Sequence, residues 1–370
     1  MKNITVTTPL LPPLSELTPL LEDIWDKKWL TNNGHYHNQL EARLCEYLGV
    51  DYLSLFSNGT LGLCAALTVL ELEGEVITTP YSFIATSNSI LLSGLKPVFI
   101  DIDPYTFNLK PELIEAAITD KTTAIMPVHV YGNPCDHEKI QSIADKYGLK
   151  VIYDAAHAFA VQESNKSVLT YGDMSILSFH ATKTYSTVEG GAVVCNSSEL
   201  KEKLEQYKSF GFESEASLSL IGSNAKLNEV QSAFGLINLN YIDSAIEQRK
   251  IAAESYDEKL SDLDGLTVWK PNKNVVHNYS YYPILIDEKE FGISRDELFN
   301  KLKNNNIFAR KYFYPLIPDF NGFCSDKYRI VGDLKNASIV ASSVLCLPLH
   351  HEITQDNILF ISSIIRDCKR

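Results

Sequence analysis

Lys150-Val151-Ile152-Tyr153-Asp154-Ala155-Ala156-His157 is a short apolar run that ends on a carboxylate, two alanines and an imidazole. The run is too short for a helix, and its β-branched and aromatic members suit a strand buried on both faces. Just before it, His137 to Tyr147 places Ile140, Ile143, Ala144 and Tyr147 on one helical face. A helix therefore feeds a buried strand, and the same alternation extends in both directions. Strand-like runs recur at Tyr52 to Phe56, Glu75 to Thr79, Pro97 to Ile100, Ala124 to Val130, Met174 to Phe179 and Ala192 to Cys195. Helical patterns such as Thr60 to Leu70 and Pro111 to Ala117 lie between them. The alternation predicts an α/β fold with a mainly parallel seven-stranded sheet covered by helices on both faces.

Past Asn228 the period changes. Glu229 to about Leu263 carries apolar residues near every third or fourth position without a strong breaker, which predicts one long helix able to bridge two domains. Tyr279 to Ile286 reads as a strand, Ser294 to Asn304 as a helix with Ser294 and Glu297 forming a capping box, and Gln355 to Arg366 as a closing helix. These elements predict a smaller C-terminal α+β domain over 246–370, after a large domain over 1–245. The polar stretch 211–228 reads as an excursion between the two.

Composition narrows the function. A chain of 370 residues with 45% hydrophobic content can bury a large core. Its net charge of -13 and lack of a basic run speak against nucleic acid as a partner. The first residues do not resemble a secretory signal, and eighteen apolar residues never run together, so no membrane association and a cytoplasmic location are expected. Seven scattered cysteines without a C-x-x-C pair suit buried thiols in a reducing compartment.

In open α/β sheets, ligands gather beyond the carboxyl ends of the strands. Three such ends carry a coherent chemistry. Ser57-Asn58-Gly59-Thr60 joins a strand to a helix, where small residues let backbone N–H groups approach an anion. Asp154 and His157 end the run quoted first. Lys183 follows Ser175-Ile176-Leu177-Ser178-Phe179-His180-Ala181-Thr182, where desolvation can lower its amine pKa and make it an imine-forming nucleophile. Taken singly, each has an ordinary explanation: a capped turn, an N-cap aspartate, a solvated loop lysine. Together they suit pyridoxal phosphate, which needs an anion cradle, a carboxylate for its ring nitrogen and a lysine for its aldehyde. Phe83 is a candidate to stack on the ring or to join the core. A metal site built on Asp154, His157 and His180 is a rival reading, but the usual ligand spacings are missing.

These residues resemble the DegT/StrS-type sugar aminotransferases, which share the fold-type-I architecture of aspartate aminotransferase. The resemblance rests on Trp29-Leu30-Thr31-Asn32-Asn33-Gly34, Asn58-Gly59-Thr60, Thr79-Pro80-Tyr81-Ser82-Phe83, Pro127-Val128-His129-Val130-Tyr131-Gly132, Asp154-Ala155-Ala156-His157, Ser178 to Lys183 and Glu189-Gly190-Gly191. It implies that Gly59, Thr60 and Ser178 bind the cofactor phosphate, Phe83 stacks on the ring, and Asp154 pairs with its nitrogen. Lys183 is implied as the imine-forming lysine and His157 as a neighbour of the ring's 3-oxygen. Asn224 matches an asparagine that reaches the phosphate of a neighbouring subunit, which implies a homodimer with shared sites. Within the family, Thr7 to Pro13 and Trp29 to Gly34 look most like members that aminate a dTDP-linked keto sugar at C4 with L-glutamate as donor, for O-antigen synthesis. His35 and Lys226 depart from the family's frequent proline and arginine, and C3 amination or a UDP-linked sugar remain alternatives. So does a non-enzymatic regulator. Arg249, Arg310 and Lys311 are candidate diphosphate partners.

Overall fold

The computed structural model describes residues 3–369, and all seven runs are strands of one sheet. Across the sheet the order is Arg329–Ile330, Lys96–Phe99, Glu75–Thr78, Thr122–Ile125, Lys150–Asp154, Met174–Ser178, Gly191–Cys195, Tyr52–Phe56. The additional edge strand, Arg329–Ile330, comes from the C-terminal part of the chain and pairs in parallel with Lys96–Phe99. Every pairing is parallel except those of Gly191–Cys195, which runs antiparallel to both its neighbours. One edge of the sheet therefore collects the carboxyl ends at Phe56, Asp154 and Ser178 together with the start of the reversed strand, since Gly191 pairs with both Phe56 and Ser178.

Alternation along the strands serves two apolar layers. Ile176 and Val193 meet Leu63, Ala66 and Leu67 of the Gly59–Val69 helix on one face. Leu177 and Val194 meet Leu40 and Leu44 of the His35–Leu48 helix on the other. The C-terminal part forms an antiparallel sheet, Leu266–Val268, Tyr282–Ile286 and Val344–Leu347, packed with the helices Ile242–Leu260, Arg295–Asn304 and Gln355–Cys368 around a separate cluster. The Ser294–Glu297 capping box is present. We propose the division into large and small domains near residue 245, within the first turn of the Ile242–Leu260 helix. Ile4–Thr5 pairs with Ile307–Phe308, so the start of the chain is tied to the C-terminal part.

The expected single helix from Glu229 is two helices, Glu229–Asn238 and Ile242–Leu260. Asn238 is buried and its Nδ2 donates to the Ser186 carbonyl at 3.0 Å. Asn240 and Tyr241 then make tightened bonds to the carbonyls of Ile237 and Asn238, three residues back. Among the described residues no helix is long and apolar enough to cross a membrane.

Burial also sets an acid limit on this fold. His37, His137, His277 and His350 are buried, and desolvation pushes each imidazole down to about 4. A folded pKa below the unfolded one favours the folded state only while the ring stays neutral. That stability is fully present above about 6.5 and drains away as pH falls toward 4, by up to about 3 kcal/mol per histidine. Urea midpoints are therefore expected to fall already between pH 6.5 and 5, ahead of most carboxylate titration. A midpoint that stays flat through that window would contradict the assignment.

Candidate active site

A cavity of about 390 Å³ opens at the sheet edge where Phe56, Asp154 and Ser178 end their strands. Gly59, Thr60, Phe83, Asp154, His157, Ser178 and Lys183 all line it. Asn224 is not among the lining residues; it is exposed, in a bridge with Ser209.

Asp154 is buried, with Thr86 Oγ1 donating to its Oδ2 at 2.7 Å and the Ala156 N–H to its Oδ1 at 3.2 Å. Burial raises this carboxyl above its usual range, while Thr86, Ala156 and the charge of Lys183 pull it back. The Lys183 amine is lowered to about 8 by the same desolvation, offset in part by Asp154. An amine at that value has a substantial neutral fraction near physiological pH, which a nucleophile needs and an ordinary lysine lacks.

His157 is buried, and desolvation with the nearby Lys183 charge keeps its ring neutral. Tyr131 N–H donates to Nδ1 at 3.2 Å, which leaves the proton on Nε2. The ring lies within 3° of parallel to Tyr131 and within 2° of Phe313, and Tyr281 meets it edge-on at 5.0 Å. Its plane is thereby fixed.

At the opposite wall, Asn58 caps the Gly59–Val69 helix by accepting the Leu61 N–H at 2.9 Å. The first-turn amides of Gly59 and Thr60 have no partner within the helix and are open to an anion. Close approach is enforced by glycine: a Cβ on Gly191 would lie 2.6 Å from Gly59 N, and one on Gly59 would lie 3.2 Å from the Ser178 Cβ. Phe83 is 57% exposed, so it is a wall of the cavity and not part of the core.

Several residues of the site, Thr86 behind Asp154 and three aromatic residues on the cavity wall, carry no signal in the sequence. Thr86 sits one turn beyond Phe83 and has no motif of its own. Tyr281, Tyr312 and Phe313 arrive from the C-terminal part, and no spacing connects them to the strand ends. Of the basic candidates, only Arg310 lines the cavity. Arg249 is wholly enclosed, its Nη1 donating to the carbonyls of Leu349 at 3.0 Å and Tyr279 at 3.3 Å, so it staples backbone and cannot meet a diphosphate. Lys311 is drawn off to Asp296 at 2.6 Å. Among the described residues, no group of three or more His, Cys, Asp or Glu side chains is placed to hold a metal ion.

A lysine amine lowered toward neutrality, a buried carboxylate on the adjoining strand and an amide-lined cradle, at the carboxyl edge of a mainly parallel sheet, fit a lysine-dependent aminotransferase. The chain belongs to the DegT/DnrJ/EryC1/StrS aminotransferase family, whose sequence profile matches residues 15–366. It is similar to the dTDP-4-amino-4,6-dideoxy-D-glucose transaminase of Shigella dysenteriae, 55% identical over 100% of both chains. The Escherichia coli transaminase of the same description is 46% identical over 98% of both. Among solved structures, DesI in the presence of its TDP-sugar product superposes with a TM-score of 0.95 at 32% identity, covering 100% of this chain and 93% of DesI. Aminotransferases of this family depend on pyridoxal phosphate.

Proposed function

We propose that this protein transfers the amino group of L-glutamate to C4 of dTDP-4-keto-6-deoxy-D-glucose, giving dTDP-4-amino-4,6-dideoxy-D-glucose for O-antigen synthesis. It works in the cytoplasm as a pyridoxal 5'-phosphate-dependent homodimer. The observation that carries the substrate is the full-length 55% identity to a transaminase of that description, on a chain that keeps the lysine, carboxylate and cradle.

The residues present fit the cofactor. A glycine-lined helix start that a Cβ would obstruct suits a phosphate, held by Gly59, Thr60 and Ser178. Asp154, already bonded to Thr86 and Ala156, keeps lone pairs for a cationic ring N–H. The Nε2–H of His157 can donate to a phenolic oxygen, and Phe83 can cover the ring face. Bound there, the cofactor supplies an electron sink for the carbon that loses its proton. Lys183 would hold the cofactor through its aldehyde carbon, and its Nζ is placed to carry the proton from the donor's α-carbon to that aldehyde-derived carbon. Its lowered pKa suits both roles.

The homodimer is supported by the position of Asn224. It lies outside its own chain's cavity, in a segment whose neighbours Phe210, Phe212, Leu218 and Ile221 are large apolar residues more than half exposed. Such a cluster suits a covered surface better than a solvated one.

The substrate is tested by incubating the purified protein with L-glutamate and dTDP-4-keto-6-deoxy-D-glucose. NMR of the isolated nucleotide sugar is expected to show an equatorial amine at C4. An amine at C3, or turnover confined to a UDP-linked keto sugar, would move the enzyme to a sister activity.

A further inference from the structure

His277 to Tyr281 leads into the Tyr282–Ile286 strand of the C-terminal sheet, and Tyr281 lines the cavity. Two side chains of this segment end on the backbone carbonyl of His157. Asn278 Nδ2 donates to it at 2.9 Å, and to the Phe159 carbonyl at 2.8 Å, while Ser280 Oγ donates to it at 2.6 Å. Both lone pairs of the His157 oxygen are therefore taken by the C-terminal part. The segment is itself braced: Arg249 Nη1 donates to the Tyr279 and Ser280 carbonyls at 3.3 and 3.5 Å, and the Tyr279 N–H donates to His277 Nδ1 at 3.0 Å. The fit is close, since a Cβ on Gly132 would come within 2.9 Å of Asn278 Oδ1 and 3.0 Å of the His157 oxygen.

Ser280 also meets Thr184, the residue after Lys183, with the two hydroxyl oxygens 3.3 Å apart. Counting protons gives the direction. Ser280 has one hydroxyl proton, for which the His157 carbonyl and Asn278 Oδ1, at 2.7 Å, compete. The Thr184 hydroxyl therefore donates and Ser280 Oγ accepts. All four residues, His157, Thr184, Asn278 and Ser280, are buried, so a bond broken here leaves an unpaired group. The next residues of the Lys183 loop are held from elsewhere, Tyr185 by its hydroxyl to the Gly235 carbonyl at 3.0 Å and Ser186 by its carbonyl to Asn238. Thr184 ties this loop to the C-terminal part.

We propose that Ser280 is a positioning residue that sets the spacing between the His157 ring and the Lys183 amine, through the His157 carbonyl on one side and the Thr184 hydroxyl on the other. This inference rests on the roles proposed above for His157 and Lys183. Those roles must be met together, because the cofactor's 3-oxygen and its aldehyde sit on neighbouring ring carbons. The two residues lie beyond the ends of different strands, Lys150–Asp154 and Met174–Ser178, so strand pairing stops short of both. One oxygen from the C-terminal part joins the two loops where the sheet no longer does. A small displacement of either group costs rate without weakening substrate binding.

Kinetics and the pH titration of the visible band of the cofactor-loaded protein are measured side by side. A donor on the 3-oxygen favours its ionised form and lowers the midpoint of that titration. His157→Phe, which keeps the aromatic stack and removes the donor, is the control expected to raise it. Ser280→Ala is expected to raise the midpoint too, by about half a unit or more, and to lower kcat about 10- to 100-fold with KM for glutamate and keto sugar within about threefold of wild type. Thr184→Val leaves the His157 carbonyl both its donors, so kcat should fall about 10-fold while the midpoint stays. The double variant should be no slower than Ser280→Ala, because both changes act through one oxygen. A lowered melting temperature with wild-type kcat and midpoint would reduce Ser280 to a structural contact and overturn the proposal, as would additive losses in the double variant. If Ser280→Ala does not fold, Thr184→Val decides, and wild-type turnover in it overturns the link. A His157→Phe control with an unmoved midpoint overturns the reading of His157 on which the proposal stands, and a wild type without a borohydride-reducible band overturns that of Lys183.

Discussion

Lys183→Ala is expected to lose roughly four orders of magnitude or more in turnover, because the proposed mechanism asks one side chain to be both nucleophile and proton carrier. The fold should not suffer. Lys183 contributes only its backbone N–H to the structure, bonded to the His180 carbonyl at 2.9 Å. Burial opposes the charge of its side chain and lowers the amine to about 8. Removing a disfavoured charge leaves no orphaned partner apart from Asp154, whose Thr86 and Ala156 bonds remain. The variant should therefore melt at or above the wild-type temperature, retain bound cofactor without a covalent link, and show no trapping of it on borohydride reduction. Turnover within tenfold of wild type would remove Lys183 from the mechanism, whatever the fate of the other site residues.

The sequence disclosed the half of this site that lies on strand ends, and for a physical reason. A buried strand is a continuous apolar run, so the polar residue that stops it is conspicuous, and topology puts parallel strand ends on one edge. Asp154, Ser178 and Lys183 were legible in that way, and Gly59 and Thr60 through the turn that follows Phe56. Phe83 could not be separated from a core residue because an aromatic side chain looks the same in both settings; its exposure resolves it. Thr86 acts through a single hydrogen bond to a residue far along the chain, and nothing local marks it. Tyr281, Tyr312 and Phe313 depend on how the C-terminal part docks, which periodicity does not encode.

Fold-level misses have similar causes. The break between Glu229–Asn238 and Ile242–Leu260 comes from a buried asparagine bonding another segment, so apolar spacing carries straight through it. The Arg329–Ile330 strand is too short to show a period. The His35–Leu48 helix buries Tyr36, His37, Leu40, Leu44 and Leu48, but its start rests on Glu229, whose carboxylate accepts the N–H groups of Tyr36 and His37 at 2.9 and 2.8 Å. A cap supplied from nearly two hundred residues away leaves no signal beside the helix it holds.

Mixing two inactive variants is expected to restore about a quarter of wild-type activity if Asn224 serves the partner's site. Asn224→Asp would set a carboxylate against a dianionic phosphate, and unit like charges at roughly 4 Å repel by about 4 kcal/mol at a near-surface dielectric, enough to empty the site of cofactor. Lys183→Ala fails for an unrelated reason, the loss of its amine. Neither side chain is part of the core, since Asn224 is exposed and Lys183 faces the cavity, so both variants should fold and associate. In a hybrid dimer, the site built around the intact Lys183 borrows Asn224 from the Lys183→Ala chain, and the second site carries both lesions. Random re-association makes about half the dimers hybrids, each with one good site in two, which gives the quarter. If Asn224 serves its own chain, every site in every dimer carries a lesion and mixing restores nothing. Subunit exchange, confirmed by mass-tagged chains, without any return of activity would therefore exclude the shared site. The same null result would leave the roles proposed for Lys183 and Asp154 in place, because both residues line the cavity of one chain.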